Sequence, residues 1–245
     1  MNMKADYVFL HGGSQGSWVW DETIAALGQQ TGGAFGRALA LDAPGCGTKR
    51  GRATDDIDVP QIVAELIGDI EQSGFRDIVL VGHSQAGTIL PLLVEARPAL
   101  FRRTVHVSCL APLPGESAFD WRASMPEAET ALDVSAPLGS RERFRAMFCN
   151  DMTSTQAEAF LDTLGPDRWP DSSYTMSAWR YDHLDAMPSS YVHCLRDATL
   201  VPSWQLLFAE RLKARHAIRI DAGHQVMNTR PHALAEVLRG CLSHD

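Results

Sequence analysis

The stretch Ile78-Val79-Leu80-Val81-Gly82-His83-Ser84-Gln85-Ala86-Gly87 constrains this chain more than any other. Ile78 to Val81 is a short β-branched run suited to a strand buried on both faces. From Thr88 onward, Ile89, Leu90, Leu92 and Leu93 read as a buried helix, with Pro91 tolerated in its first turn. Between strand and helix there is room for a turn of only a few residues, with one serine near its apex. So tight a reversal puts Ser84 in a strained backbone conformation and lifts its hydroxyl clear of both flanking elements. Small residues are required on either side, because the two backbones nearly touch there. The amide of Gln85 opens the helix, with the positive end of the helix dipole behind it.

This arrangement is a nucleophile elbow, and through it the chain resembles the α/β-hydrolase superfamily. The usual G-x-S-x-G is spelled Gly82-His83-Ser84-Gln85-Ala86, with alanine as the small residue and Gly87 one place later. Upstream, the strand-like run Tyr7-Val8-Phe9-Leu10 ends at His11-Gly12-Gly13-Ser14-Gln15-Gly16. Glycines clustered directly after a strand imply a sharp turn or a close approach. Such a loop is either a plain connector or one that offers a backbone amide to an anion beside Ser84. Continued through Ser17-Trp18-Val19-Trp20, it is similar to the H-G-x-x-x-G-x-W-x-W segment of the compact plant methylesterase and hydroxynitrile lyase branch and its bacterial relatives. That resemblance implies an oxyanion hole built from the backbone amides of Gly13 and Gln85. It assigns no role to the Gln15 side chain.

Ala38 to Leu41 reads as the next strand, closed by Asp42-Ala43-Pro44-Gly45-Cys46-Gly47, which matches the D-x-P-G-x-G loop of these enzymes. Cys46 has no neighbouring base in the sequence and is expected to be structural. Val59, Ile62, Val63, Leu66, Ile67 and Ile70 recur at helical spacing, with Asp58 as N-cap and Gly74 as stop. Thr104 to Ser108 is a further short strand. From Leu113 to Met187 strand-like runs disappear, and helical fragments stand between prolines, at Ser140 to Cys149 and Ser154 to Leu164. Trp121, Trp169 and Trp179 fall here with Met125, Met147, Met152, Met176 and Met187. Large, adaptable apolar side chains suit a helical cap over a pocket, although most of them also serve simply to glue an insertion down. Strands resume at Ser190 to Leu195 and again at Ala217 to Ile220, and a last helix opens near Pro231.

Each of the two late strands is followed by a loop bearing chemistry. Asp197 follows the first, where the resembling fold keeps its triad acid, and His224 follows the second. The order Ser84, Asp197, His224 is that of α/β-hydrolases rather than of other serine hydrolase folds. A serine hydroxyl is a weak nucleophile near neutral pH and needs a neutral imidazole to take its proton. A carboxylate on the far side of the ring then fixes the tautomer and stabilises the imidazolium. Asp221 is a rival acid, but three residues before His224 it sits where the backbone seldom lets it reach the ring. His83 is expected to project away from Ser84 in a packing role, and His11 to brace the glycine loop.

The implied fold is that of an α/β-hydrolase: a mostly parallel central sheet flanked by helices. Residues 1–112 and 188–245 form the core, and 113–187 form a helical cap inserted in it. The expected activity is cleavage of a small carboxylic ester by a Ser-His-Asp acyl-enzyme mechanism, without cofactor or metal. Alternatives are a receptor-like relative that binds a small molecule with little turnover, or a hydroxynitrile lyase. The lyases of this branch carry a threonine in the glycine loop and a lysine beside the histidine, where this chain has Gly12 and Gln225. Both departures favour ester hydrolysis. A net charge of −8 argues against nucleic acid or an anionic membrane as partner. No apolar stretch reaches the length of a membrane span, and the short N-terminal run lacks a signal-type apolar region. Five scattered cysteines without metal-type spacing suit buried free thiols in a reducing compartment, so the expected location is cytoplasmic. A small ester is the expected partner, and a homodimer is left open.

Overall fold

Six short strands, joined by five crossovers, pair into a single parallel sheet. The computed structural model describes residues 4–32, 35–121, 137 and 139–243. The strands are β1 (Asp6–Leu10), β2 (Ala38–Leu41), β3 (Ile78–His83), β4 (Phe101–Val107), β5 (Ser189–Cys194) and β6 (His216–Ile220). They lie in the order β2-β1-β3-β4-β5-β6, and every neighbouring pair is parallel. The chain leaves β1 toward one edge and β3 toward the other, so the strand order reverses between them. In open α/β sheets that crevice, at the carboxyl ends of the strands, is where ligands bind.

Alternation along the strands divides the core between the two faces. Val8, Leu10, Ile78 and Leu80 pack with α2 (Val59–Ser73) and α3 (Leu90–Ala96) on one side. Tyr7, Phe9, Val79, Val81, Val105 and Val107 pack on the other with α1 (Asp21–Thr31) and the last helix. The sequence signals for α2 hold in detail. Asp58 and Gln61 form a reciprocal capping box, with both bonds at 2.8 Å, and Gly74 ends the helix at φ 68°. β4 starts earlier than its apolar run suggests, because Arg102 and Arg103 interrupt that run while still extending the strand.

Between β4 and β5 lie α4 (Arg141–Phe148), α5 (Ser154–Thr163) and the single turn α6 (Ser172–Thr175). Ser140 and Thr153 cap the first two through their side chains. Phe148, Phe160 and Leu161 form a small core of their own against Trp18, whereas Trp169 and Trp179 join the main core. Met125, grouped with these residues in the sequence, lies outside the described residues. After β5 come α7 (Pro202–Arg211), β6, the one-turn α8 (Val226–Thr229) and α9 (Pro231–Gly240). α8 leaves no periodic signal because four residues are too few to show one. Among the described residues no helix is long and apolar enough to cross a membrane.

Candidate active site

The crevice is built first by the end of β3. Ser84 sits at φ 53°, a left-handed conformation that costs a non-glycine residue on the order of 1–3 kcal/mol. Its neighbours are small for steric reasons. A Cβ on Gly82 would stand 2.6 Å from Leu90 Cδ1 and 3.1 Å from the Ala86 methyl. A Cβ on Gly87 would collide with the carbonyl oxygen of Leu110, so the glycine one place late serves the contact with the loop after β4. The Leu110 amide in turn donates to the Ser84 carbonyl at 3.0 Å. The chain past Ser84 is a 3₁₀ turn through Thr88, and α3 begins only at Leu90, later than the apolar pattern suggests.

The Ser84 hydroxyl lies 3.0 Å from His224 Nε2, and His224 Nδ1 lies 2.6 Å from Asp197 Oδ2. The Nδ1 proton therefore faces the carboxylate, leaving Nε2 to accept from the serine. The side chains of His224 and Asp197 are 1% and 0% exposed, so this chain of bonds works with little competition from water. Asp197 is held on both oxygens. Oδ1 accepts the amides of Thr199 (2.7 Å) and Leu200 (2.8 Å), and Oδ2 also accepts the Ser108 hydroxyl at 2.6 Å. The rival Asp221 turns outward instead and pairs with Arg196 at 2.7 Å.

The glycine loop approaches from the side of β1. A Cβ on Gly12 would lie 3.0 Å from Ser84 Cβ and 2.9 Å from His83 Nδ1, and one on Gly13 would lie 3.9 Å from Gln85 Cβ. The loop thus runs alongside the elbow, close enough that glycine is required at Gly12. Neither the Gly13 nor the Gln85 amide donates to an acceptor among the described residues. His11 braces the loop, its Nδ1 donating to the Gly12 carbonyl at 2.7 Å and its Nε2 accepting the Ala43 amide at 3.2 Å. Cys46 is fully buried, and burial with nearby Asp167 and Asp42 pushes its thiol pKa up, as suits a structural cysteine.

The profile of the alpha/beta hydrolase family matches residues 7–237. The chain belongs to that family. It is 25% identical to a carbendazim hydrolyzing esterase of Nocardioides sp., over 96% of this chain and 98% of that protein. It is 24% identical to polyneuridine aldehyde esterase of Rauvolfia serpentina, over 95% of this chain and 93% of that one. An extracellular α/β-hydrolase from a Paenibacillus species shares the fold, with a TM-score of 0.78, 22% identity, and coverage of 97% of this chain and 98% of that one.

In this α/β hydrolase the structure brings together the three side chains of the expected triad, Ser84, Asp197 and His224, beside the backbone of Gly13 and Gln85. Three further residues at the site have weaker signals. Ser108 stands one position past β4, where loops at the carboxyl ends of strands line the crevice, and that placement was its only clue. His83, expected in a packing role, has its ring against His224 with centroids 4.5 Å apart. Tyr174, on α6, places its hydroxyl 3.1 Å from the position a Gly13 Cβ would take. Nothing in the sequence of α6 distinguishes that tyrosine from a core residue.

Proposed function

We propose that the protein is a serine esterase that cleaves small carboxylic esters, with Ser84 as nucleophile, His224 as general base and then acid, and Asp197 as the orienting carboxylate. The observation that carries this reading is the unbroken chain from Ser84 Oγ through His224 to Asp197 Oδ2, at 3.0 and 2.6 Å. His224 Nε2 takes the hydroxyl proton as Oγ attacks the ester carbonyl, and Asp197 stabilises the imidazolium that forms. The amides of Gly13 and Gln85, without acceptors of their own, receive the negative charge on the former carbonyl oxygen. His224 next returns the proton to the departing alkoxide, leaving an acyl group on Ser84. Water, deprotonated by the same nitrogen, releases the carboxylic acid and restores the serine.

Residues 113–187 act in this reading as a cap over the crevice. Support comes from Phe148 of α4, whose ring stacks on His224 at 6.0 Å, and from Tyr174 above Gly13. The relatives described as esterases support the same activity. All five cysteines are free and buried, which favours a reducing compartment and so a cytoplasmic location.

The deciding experiment is turnover of p-nitrophenyl acetate and related esters by the wild type and by Ser84→Ala. Multiple turnovers are expected from the wild type, and a loss of roughly 10³ to 10⁶ in kcat from the variant. A single slow burst from the wild type would instead indicate a receptor-like protein, and an active Ser84→Ala variant would end the serine mechanism.

A further inference from the structure

The Gly12 carbonyl accepts hydrogen bonds from two buried rings, one on each side of a long gap in sequence. His11 Nδ1 lies 2.7 Å from it, and Trp169 Nε1–H donates to it at 3.1 Å. The two rings meet edge to face, with centroids 5.5 Å apart. Because His11 Nε2 accepts from Ala43, the imidazole proton is on Nδ1 and that nitrogen also donates to Gly12. Two donors from different directions fix the plane of the Gly12–Gly13 peptide. No cis peptide occurs among the described residues, so the Gly13 N–H points opposite to that carbonyl. The carbonyl is directed into the protein. The amide therefore points away from the His11 and Trp169 rings, in a loop that runs alongside Ser84 and Gln85. Hydrogen bonds to the carbonyl also polarise the peptide and strengthen its N–H as a donor.

The indole is held as firmly as the peptide it orients. Trp169 is 0% exposed. Asp167, two residues earlier, accepts the Gly47 amide at 2.7 Å and two nitrogens of Arg50 at 2.7 and 2.5 Å. The Arg168 amide donates to the Gly45 carbonyl at 3.3 Å. Residues 167–169 are thereby fastened to the loop after β2 while reaching the loop after β1. A segment inserted between β4 and β5 thus acts on a peptide at the far side of the crevice.

We infer that Trp169 is a positioning residue for the oxyanion hole, acting through the Gly12–Gly13 peptide rather than on the substrate. The inference rests on the esterase reading. Its signature is kinetic: the Gly13 amide matters to the charged oxygen of the transition state more than to the neutral ester, so losing the indole donor lowers kcat and spares KM.

The test compares wild type with Trp169→Phe, and with a protein carrying benzothienylalanine at position 169, which keeps the shape of the bicyclic ring but has no N–H. With p-nitrophenyl acetate, kcat falls about tenfold in both, and KM stays within about twofold. Inhibition by an aryl trifluoromethyl ketone, whose adduct with Ser84 carries an oxyanion, weakens by a similar factor. Unchanged kcat in the folded benzothienylalanine protein would overturn the inference, as would a loss confined to KM with ketone inhibition intact. The backbone ¹⁵N resonance of Gly13 gives a readout independent of turnover. It shifts when the Gly12 carbonyl loses its donor, and an unmoved resonance also overturns the inference. Should the wild type cleave no ester, the parent reading fails while this resonance still decides the role of Trp169.

Discussion

His83 Nε2 lies 3.0 Å from the carbonyl oxygen of His224, and the two imidazole rings pack 4.5 Å apart. The residue before the serine thus holds the backbone of the histidine that faces it. Burial and the neighbouring His224 keep the His83 pKa well below the ordinary histidine range, so it is neutral at physiological pH. A neutral ring has one proton. Placed on Nε2, it donates to the His224 carbonyl and leaves Nδ1 bare beside Gly12. His83→Phe keeps a ring of similar outline and removes this bond. A net loss near 1 kcal/mol, or about fivefold in kcat with KM little changed, is expected from steady-state ester kinetics. An unaltered kcat would reduce His83 to a packing residue.

The acid partner is tested by contrast. Asp197→Asn should lower kcat by roughly 10⁴, because the amide leaves His224 in the wrong tautomer. Asp221→Asn, which breaks only an exposed pair with Arg196, should leave kcat within about twofold. Ser108→Ala removes one of the four donors to the Asp197 carboxylate and should cost about tenfold. Reversal of the two aspartate effects would move the acid to the loop before His224.

These residues differ in how far the sequence reveals them, and the difference has a physical basis. Ser84 and α2 are legible because their signals are local: a buried β-branched run, small residues at a steric bottleneck, a cap and a stop. Asp197 and His224 are legible from position, since each follows its own strand at the carboxyl edge of the sheet. Contacts between distant segments leave no such trace. Trp169 reaches Gly12 across 157 positions, and nothing in its neighbours separates it from Trp179, which donates instead to Glu116. His83 reads in the sequence as a packing residue. What it packs against depends on how the loop after β6 folds back. The start of β4 was hidden by two arginines, whose charge argues against a strand that tertiary pairing nevertheless extends.

Stability should fall in acid in a way that His106 helps set. The residue is fully buried in β4, and burial lowers its pKa from 6.5 to about 3. Neither ring nitrogen has a hydrogen-bond partner among the described residues. Between these two values the unfolded chain binds a proton that the folded protein refuses. The stability this neutral histidine contributes is complete above about pH 6.5 and is lost as pH falls toward 3, at up to about 1.4 kcal/mol per pH unit. His11 and His83, also lowered by burial, act with the same sign. Asp42 and Glu65, whose pKa values are lowered from 3.8 and 4.5, add their losses as pH falls through those values, so the interval from about pH 5 to 6 weights the histidines most. Denaturant midpoints measured across it should slope less steeply for His106→Phe than for wild type. Parallel slopes would show that His106 does not remain neutral on folding.

Ester and cyanohydrin cleavage make different demands on the same three side chains, and the surroundings of Ser84 separate them. Cyanide leaving a cyanohydrin needs a cation beside the histidine, and the lyases of the branch that this chain resembles place a lysine there. Here the neighbour is Gln225, a neutral amide that is fully buried. Those lyases also have a threonine in the glycine loop. In this chain a Cβ at Gly12 would press to 3.0 Å from Ser84 Cβ and 2.9 Å from His83, so the loop has no space for that hydroxyl. An ester needs neither group, because its oxyanion is met by backbone amides and its alkoxide is protonated by His224. The purified protein is therefore expected to turn over short-chain and aryl esters and to release cyanide from mandelonitrile no faster than buffer does. Gln225→Lys alone should not confer cyanide release, because the lysine would have no partner hydroxyl at Gly12. Rapid cyanide release by the wild type, with no hydrolysis across the ester panel, would refute this assignment.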